Sequence, residues 1–100
     1  MDKREAINKV KEYSILLQNY IPFESVYLFG SYAKDSYNAE SDVDIAIVVD
    51  HIEGDYFSII PLLWKIRRQI DNRSEPILIE RENDDGGFLD EIKKNRIKIV

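Results

Sequence analysis

Residues 30–44 read Gly30-Ser31-Tyr32-Ala33-Lys34-Asp35-Ser36-Tyr37-Asn38-Ala39-Glu40-Ser41-Asp42-Val43-Asp44. Each end of this stretch borders an apolar run: Val26 to Phe29 leads into Gly30, and Val43 to Val49 begins between the two aspartates. An apolar strand that runs into Gly-Ser and then a short helix presents free backbone N–H groups, which suit phosphate oxygens. Side chains alternate along a strand, so Asp42 and Asp44 leave one face while Val43 and Ile45 leave the other. Two carboxylates on one face beside a phosphate cradle make a Mg²⁺-nucleotide site. The plainer reading is a solvent-facing edge strand after an ordinary turn. It is the weaker one, because aspartate is disfavoured in strands and two like charges on one face repel without a cation.

Working outward, residues 3–20 carry a helical period. Ile7, Val10, Leu17 and Ile21 form one stripe with Tyr13, Leu16 and Tyr20 beside it, and Pro22 stops the helix. Strands are expected at 25–29 and 43–49, with a short helix or turn at 31–36 and a polar loop at 37–41 that brings the motif halves together. After a loop at 50–54, residues 55–72 read as a helix with Phe57, Ile60, Leu63, Trp64 and Ile70 available to the core. Pro61 predicts a start near that residue or a kink. A strand at 76–79, an acidic segment at 80–85, a Gly86-Gly87 turn, a helix at 88–95 and a strand at 97–100 complete the chain. This alternation predicts an α/β (α+β) fold, a mixed sheet with helices packed on it.

The 100 residues suggest one domain, with no linker or internal repeat. A net charge of −5 argues against holding nucleic acid by bulk electrostatics, so a small or protein acceptor fits better. The absence of cysteine removes disulfides and thiolate chemistry and fits a cytoplasmic protein. No apolar run approaches a membrane span, and no signal-peptide core follows the charged first residues.

The Gly-Ser, ten residues, Asp-x-Asp pattern resembles the signature of the DNA polymerase beta-type nucleotidyltransferase superfamily, in particular its minimal nucleotidyltransferase (MNT) branch. The expected order of elements follows that family across nearly the whole chain, so the resemblance implies a single minimal nucleotidyltransferase domain over residues 1–100 with a polymerase beta-like fold. It implies transfer of a nucleoside monophosphate, AMP from ATP, to an acceptor hydroxyl with release of pyrophosphate. Asp42 and Asp44 would hold Mg²⁺, two ions in all, and Gly30, Ser31 and Lys34 the phosphates. Lys34 stands where the family usually has Arg, offering a point charge in place of a bidentate fork. Asp35 stands where it often has Gly.

The family's third acid opens the strand after the middle helix. Glu75, before Pro76, is the first choice for a third metal ligand or catalytic base, Glu80 is the alternative, and Glu82 reads as a solvated loop acid. Ser41 reads as a loop-ordering residue. Tyr32 is a weak candidate to stack on a base or ribose. Lys65, Arg67 and Arg68 read as a solvated helix face, and His51 takes no role. Minimal nucleotidyltransferases commonly pair with a HEPN-domain protein as antitoxin to a ribonuclease toxin, which implies such a partner and an oligomer. Two rival functions are an antitoxin that neutralises by contact without catalysis, and a small-molecule nucleotidyltransferase of the aminoglycoside-modifying kind.

Overall fold

The computed structural model describes residues 1–52, 54, 56–84, 87–92 and 95–100, without the side chains of 56, 83 and 91. Parts of five expected elements lie outside the described residues: Glu53 of the loop at 50–54, Asp55 at the start of the middle helix, Asp85 of the acidic segment, Gly86 of the Gly-Gly turn, and Lys93 and Lys94 in the last helix. Four strands form one mixed sheet in the order β3-β2-β1-β4. They are β1 (Ser25–Phe29), β2 (Val43–Val49), β3 (Ser74–Glu80) and β4 (Ile97–Lys98). β1 runs antiparallel to β2 and β4, and β2 runs parallel to β3. This is the α+β fold, a mixed sheet with helices packed on it, that the alternating pattern predicts.

Helices α1 (Lys3–Leu17) and α2 (Tyr56–Ile70) join β1 and β2 in one core on one face of the sheet. Val26, Leu28, Val43, Ile45 and Ile47 point into it and meet Ala6, Val10, Tyr13 and Leu17 of α1 and Leu63 and Ile66 of α2. The opposite face carries the alternate residues Tyr27, Ala46, Val48 and Ile79, which meet Ile92 of the short α3 (Phe88–Ile92). α1 begins where the Asp2 carboxylate accepts the Glu5 N–H at 2.8 Å, an N-cap that satisfies one orphan donor of the first turn. The Tyr13 hydroxyl donates to the Leu63 carbonyl at 2.8 Å, tying α1 to α2, and burial holds that phenol well above its ordinary pKa.

The α1 stripe is rotated slightly from the expected one. Ala6, Val10, Tyr13 and Leu17 are buried, Ile7 and Leu16 are half-buried, and Tyr20 is exposed beyond the helix end. In α2 the helix runs through Pro61 from Tyr56, and Phe57 is 79% exposed where a core position was expected. Leu63 and Ile66 define the inward side, and Phe57, six and nine residues before them, falls on the outer one. β3 starts at Ser74, two residues earlier than its apolar run, so Glu75 lies within the strand. Pro76 is tolerated because β3 is at the edge of the sheet. Among the described residues no helix is long and apolar enough to cross a membrane.

Ile45 is fully buried at the sheet centre whereas Ile15 of α1 is 63% exposed. Ile45→Ala is expected to cost about 2–5 kcal/mol, enough to unfold much of a small domain, and Ile15→Ala to stay within about 0.5 kcal/mol. Urea denaturation of both variants checks this. Similar losses at the two sites would contradict the assigned burial.

Candidate active site

The ladder between β2 and β3 places Asp44 directly beside Glu75, and the ladder between β1 and β2 places Asp44 beside Phe29. Asp42 lies two residues before Asp44, so the period of two sends all three carboxylates to the α3 face of the sheet. Glu80 does not join them. It pairs with Val49 at the far end of β3, five residues from Glu75 and therefore on the opposite face. Its carboxylate accepts the Ile52 N–H at 2.5 Å and closes the loop after β2. Glu82 is an exposed residue of the 3₁₀ turn Arg81–Asn83, as expected of a loop acid.

The three acids disturb one another. Asp44 is half-buried, and its pKa rises from an ordinary 3.8 to about 6, first by desolvation and then by the charges of Glu75 and Asp42. Glu75 is also raised, by desolvation, by the charge of Asp42 and by a hydrogen bond its protonated carboxyl donates to Asp42. Arg67 opposes that rise. This residue belongs to the helix stretch expected to be plainly solvated, yet it is half-buried. Its guanidinium stacks on Trp64 at 4.7 Å and donates to the Asn72 carbonyl, while Lys65 and Arg68 are exposed.

Gly30 is required by two independent constraints. Its φ of +72° is left-handed, and a Cβ there would lie 2.9 Å from the Asp44 Cγ and closer still to Oδ2. The backbone of the cradle and the carboxylate of Asp44 thus occupy adjoining space. From Gly30 the chain makes successive turns and no regular helix. The Lys34 N–H donates to the Gly30 carbonyl at 3.0 Å and the Ser36 N–H to the Ser31 carbonyl at 2.9 Å. Ser31 is half-buried in this turn and Lys34 is exposed. Gly30 and Lys34 line a cleft of about 190 Å³ with Phe29, Phe88, Ile92 and Asn95.

Asp35 holds the left-handed φ of +60° that explains a family glycine at this position, a conformation Asp tolerates better than most residues. Its carboxylate pairs with Lys3 at 2.8 Å. Tyr32 is fully buried and stacks on Tyr37 at 4.5 Å, so it is a core residue and does not reach a base or ribose. The Ser41 hydroxyl accepts the Asn38 N–H at 2.9 Å, ordering the loop before Asp42 as expected.

The donor set suits a hard cation: carboxylate oxygens only, destabilised by their own proximity, next to a backbone cradle with no Cβ. Among the described residues no three acids or histidines form a metal cage by themselves. A larger cleft of about 500 Å³ lies at the opposite end of β2, between Ile21–Glu24, Val49–Ile52, Ile59 and Leu78. It is mainly apolar and contains none of the three acids.

The profile of the family Polymerase beta, Nucleotidyltransferase matches residues 8–100. The chain belongs to this family. Its fold is shared with a Sulfolobus solfataricus protein assigned as a nucleotidyltransferase, at a TM-score of 0.71 and 24% identity over 96% of this chain and 80% of that one. A chain of a toxin–antitoxin complex with AMP-PNP gives 0.68 and 24%, covering 94% and 72%. A chain of the complex between the tri-AMPylated Shewanella oneidensis HEPN toxin and its MNT antitoxin gives 0.64 and 22%, covering 98% and 71%. No curated protein is significantly similar in sequence. In this nucleotidyltransferase domain the fold brings Gly30 against Asp44, and so the Gly-Ser turn against the Asp-x-Asp strand.

Because the folded pKa of Asp44 lies above its unfolded value, the folded state binds the extra proton between about pH 3.8 and 6 and loses stability as pH rises through that window. In metal-free buffer at pH 7, Asp44→Asn is therefore expected to melt at a higher temperature than wild type, with the difference vanishing below about pH 4. Thermal denaturation across pH tests this. A lower melting temperature for the variant at pH 7 would show that the ionised carboxylate is stabilised by partners in the fold.

Proposed function

We propose that this nucleotidyltransferase domain moves AMP from ATP to a hydroxyl of a partner protein, and that it is the antitoxin of a HEPN/MNT pair. The observation that carries the reading is the convergence of Asp42, Asp44 and Glu75 on one sheet face against the Gly30 turn. The solved complexes of similar fold, one with AMP-PNP and one with an AMPylated HEPN toxin, support the choice of nucleotide and acceptor.

Asp42 and Asp44, with Glu75 completing the carboxylate set, would hold two Mg²⁺ ions. When bound, these neutralise the triphosphate and make its α-phosphorus more electrophilic. Gly30, lacking a Cβ, lets the β- and γ-phosphates approach the backbone. Ser31 offers them its hydroxyl and N–H, and Lys34 a point charge at the rim. The acceptor oxygen attacks the α-phosphorus in line, the bond to the β-phosphate oxygen breaks, and pyrophosphate leaves. Glu75 receives the hydroxyl proton, and the desolvation and Asp42 charge that raise its pKa make it a stronger base than an ordinary carboxylate. Asp35 does not oppose phosphate binding directly, since its charge is paired with Lys3.

Incubation with Mg-ATP and a HEPN-domain partner is expected to add AMP to the partner, read as a mass increase. Asp42→Asn with Asp44→Asn should abolish both modification and neutralisation. Glu75→Gln should slow transfer by about a hundredfold or more, while Glu80→Gln remains near wild type. Neutralisation by the double variant with no mass change in either protein would replace catalysis with contact. Transfer lost in Glu80→Gln and kept in Glu75→Gln would move the third acid.

A further inference from the structure

Asp42 is exposed and precedes β2, so no packing holds it. Its position depends on the loop before it and on the first ladder bond after it, and one residue controls both. The Arg73 carbonyl accepts the Val43 N–H at 2.8 Å, on the C-terminal side of Asp42. The Arg73 guanidinium donates to the Ala39 carbonyl at 3.1 Å, on the N-terminal side. Arg73 is itself braced, because its own N–H donates to the Asp71 carboxylate at 2.8 Å and its Nε lies 3.6 Å from the same group. Two residues further on stands Glu75. The turn that opens β3 thus grips the Asp42 loop on both sides of the aspartate.

The loop is internally compact. Its bonds from the Asn38 N–H to the Ser41 hydroxyl (2.9 Å), from the Glu40 N–H to the Asn38 side chain (2.8 Å) and from the Ser41 N–H to the Asn38 carbonyl (3.2 Å) are all local. Tyr37 anchors its start by stacking on Tyr32, and Arg73 anchors its middle. A loop pinned at these points loosens if one anchor is cut, and Asp42 loosens with it.

We infer that Arg73 is a positioning residue that sets the place of Asp42 relative to Glu75, and so the affinity of the acid site for divalent metal. This rests on the reading of Asp42, Asp44 and Glu75 as the metal-holding set. The Arg73 side chain is 42% exposed, so its ion pair and hydrogen bond contribute little to global stability. Its backbone bond to Val43 survives any substitution. Positioning and folding are therefore separable at this residue.

The test uses Arg73→Gln, Arg73→Lys and wild type with Mn²⁺ and α,β-methylene-ATP, which cannot release pyrophosphate. Calorimetry gives the Mn²⁺ affinity, and hydrogen exchange reports on residues 37–42. Arg73→Gln is expected to weaken Mn²⁺ binding by about tenfold, the lower end of what loss of support around a metal ligand costs, and to speed exchange across the loop. Its melting temperature should stay near that of wild type, and Arg73→Lys, which keeps one donor, should recover part of the affinity. A lowered melting temperature with unchanged Mn²⁺ affinity would overturn the proposal and leave Arg73 a structural residue. Slow exchange in Arg73→Gln would overturn it too, since the clamp would then be redundant. If Asp42→Asn with Asp44→Asn binds Mn²⁺ as tightly as wild type, the metal-site reading fails whatever the exchange data show.

Discussion

Three carboxylates that repel one another are held together by the register between β2 and β3, and that register is set on the other face of the sheet. Val43, Ile45 and Ile47 alternate with the acids and are fully buried against α1 and α2. A slip of one residue would turn Asp44 into this core and carry Ile45 out of it, exchanging a buried isoleucine for a buried charge. The hydrophobic face thus enforces an arrangement that the polar face opposes: desolvation first, and then the neighbouring acids, push the pKa of Asp44 and of Glu75 upward. Strain of this kind persists where the surrounding structure over-determines it, and a divalent cation relieves it.

The same constraint explains the turn after β1. The Asp44 carboxylate reaches across the β1–β2 ladder to the space a Cβ at residue 30 would take. Glycine is demanded there by contact as well as by its positive φ. Five residues later the chain again needs a left-handed residue, and here Asp35 supplies it with its carboxylate drawn to Lys3 at the start of α1. That departure from the family pattern preserves the backbone path and directs the added charge toward a lysine.

Much of this was legible in the sequence because it follows from period and parity. The spacing of Asp42 and Asp44 places them on one face, and the apolar runs flanking the motif mark β1 and β2 at their observed bounds. The sequence left Glu75 and Glu80 both open, and it is the observed strand from Ser74 to Glu80 that turns them to opposite faces. What the sequence could not show is the pairing of Asp44 with Glu75, because the register of a parallel strand after a long crossover depends on tertiary packing. Burial was less legible. Tyr32 lies inside the motif and is polar at its tip, but its ring fills the core. Phe57 is strongly apolar, but α2 turns it outward. Arg73 carries no motif signal, since its side chain acts on a backbone carbonyl 34 residues away that no residue pattern marks. Of the short helix or turn expected at 31–36, the turn is what forms, because the residues that follow must double back to reach β2.

The central claim is that the acid face binds metal together with nucleotide. The most direct measurement is a crystal structure with Mn²⁺ and a non-reactive ATP analogue, with the metal located by its anomalous scattering. The account predicts anomalous density bonded to the carboxylates of Asp42 and Asp44 on the Glu75 side, with the triphosphate against Gly30 and Ser31. Nucleotide bound without metal at these residues, or metal found instead away from them, would contradict it.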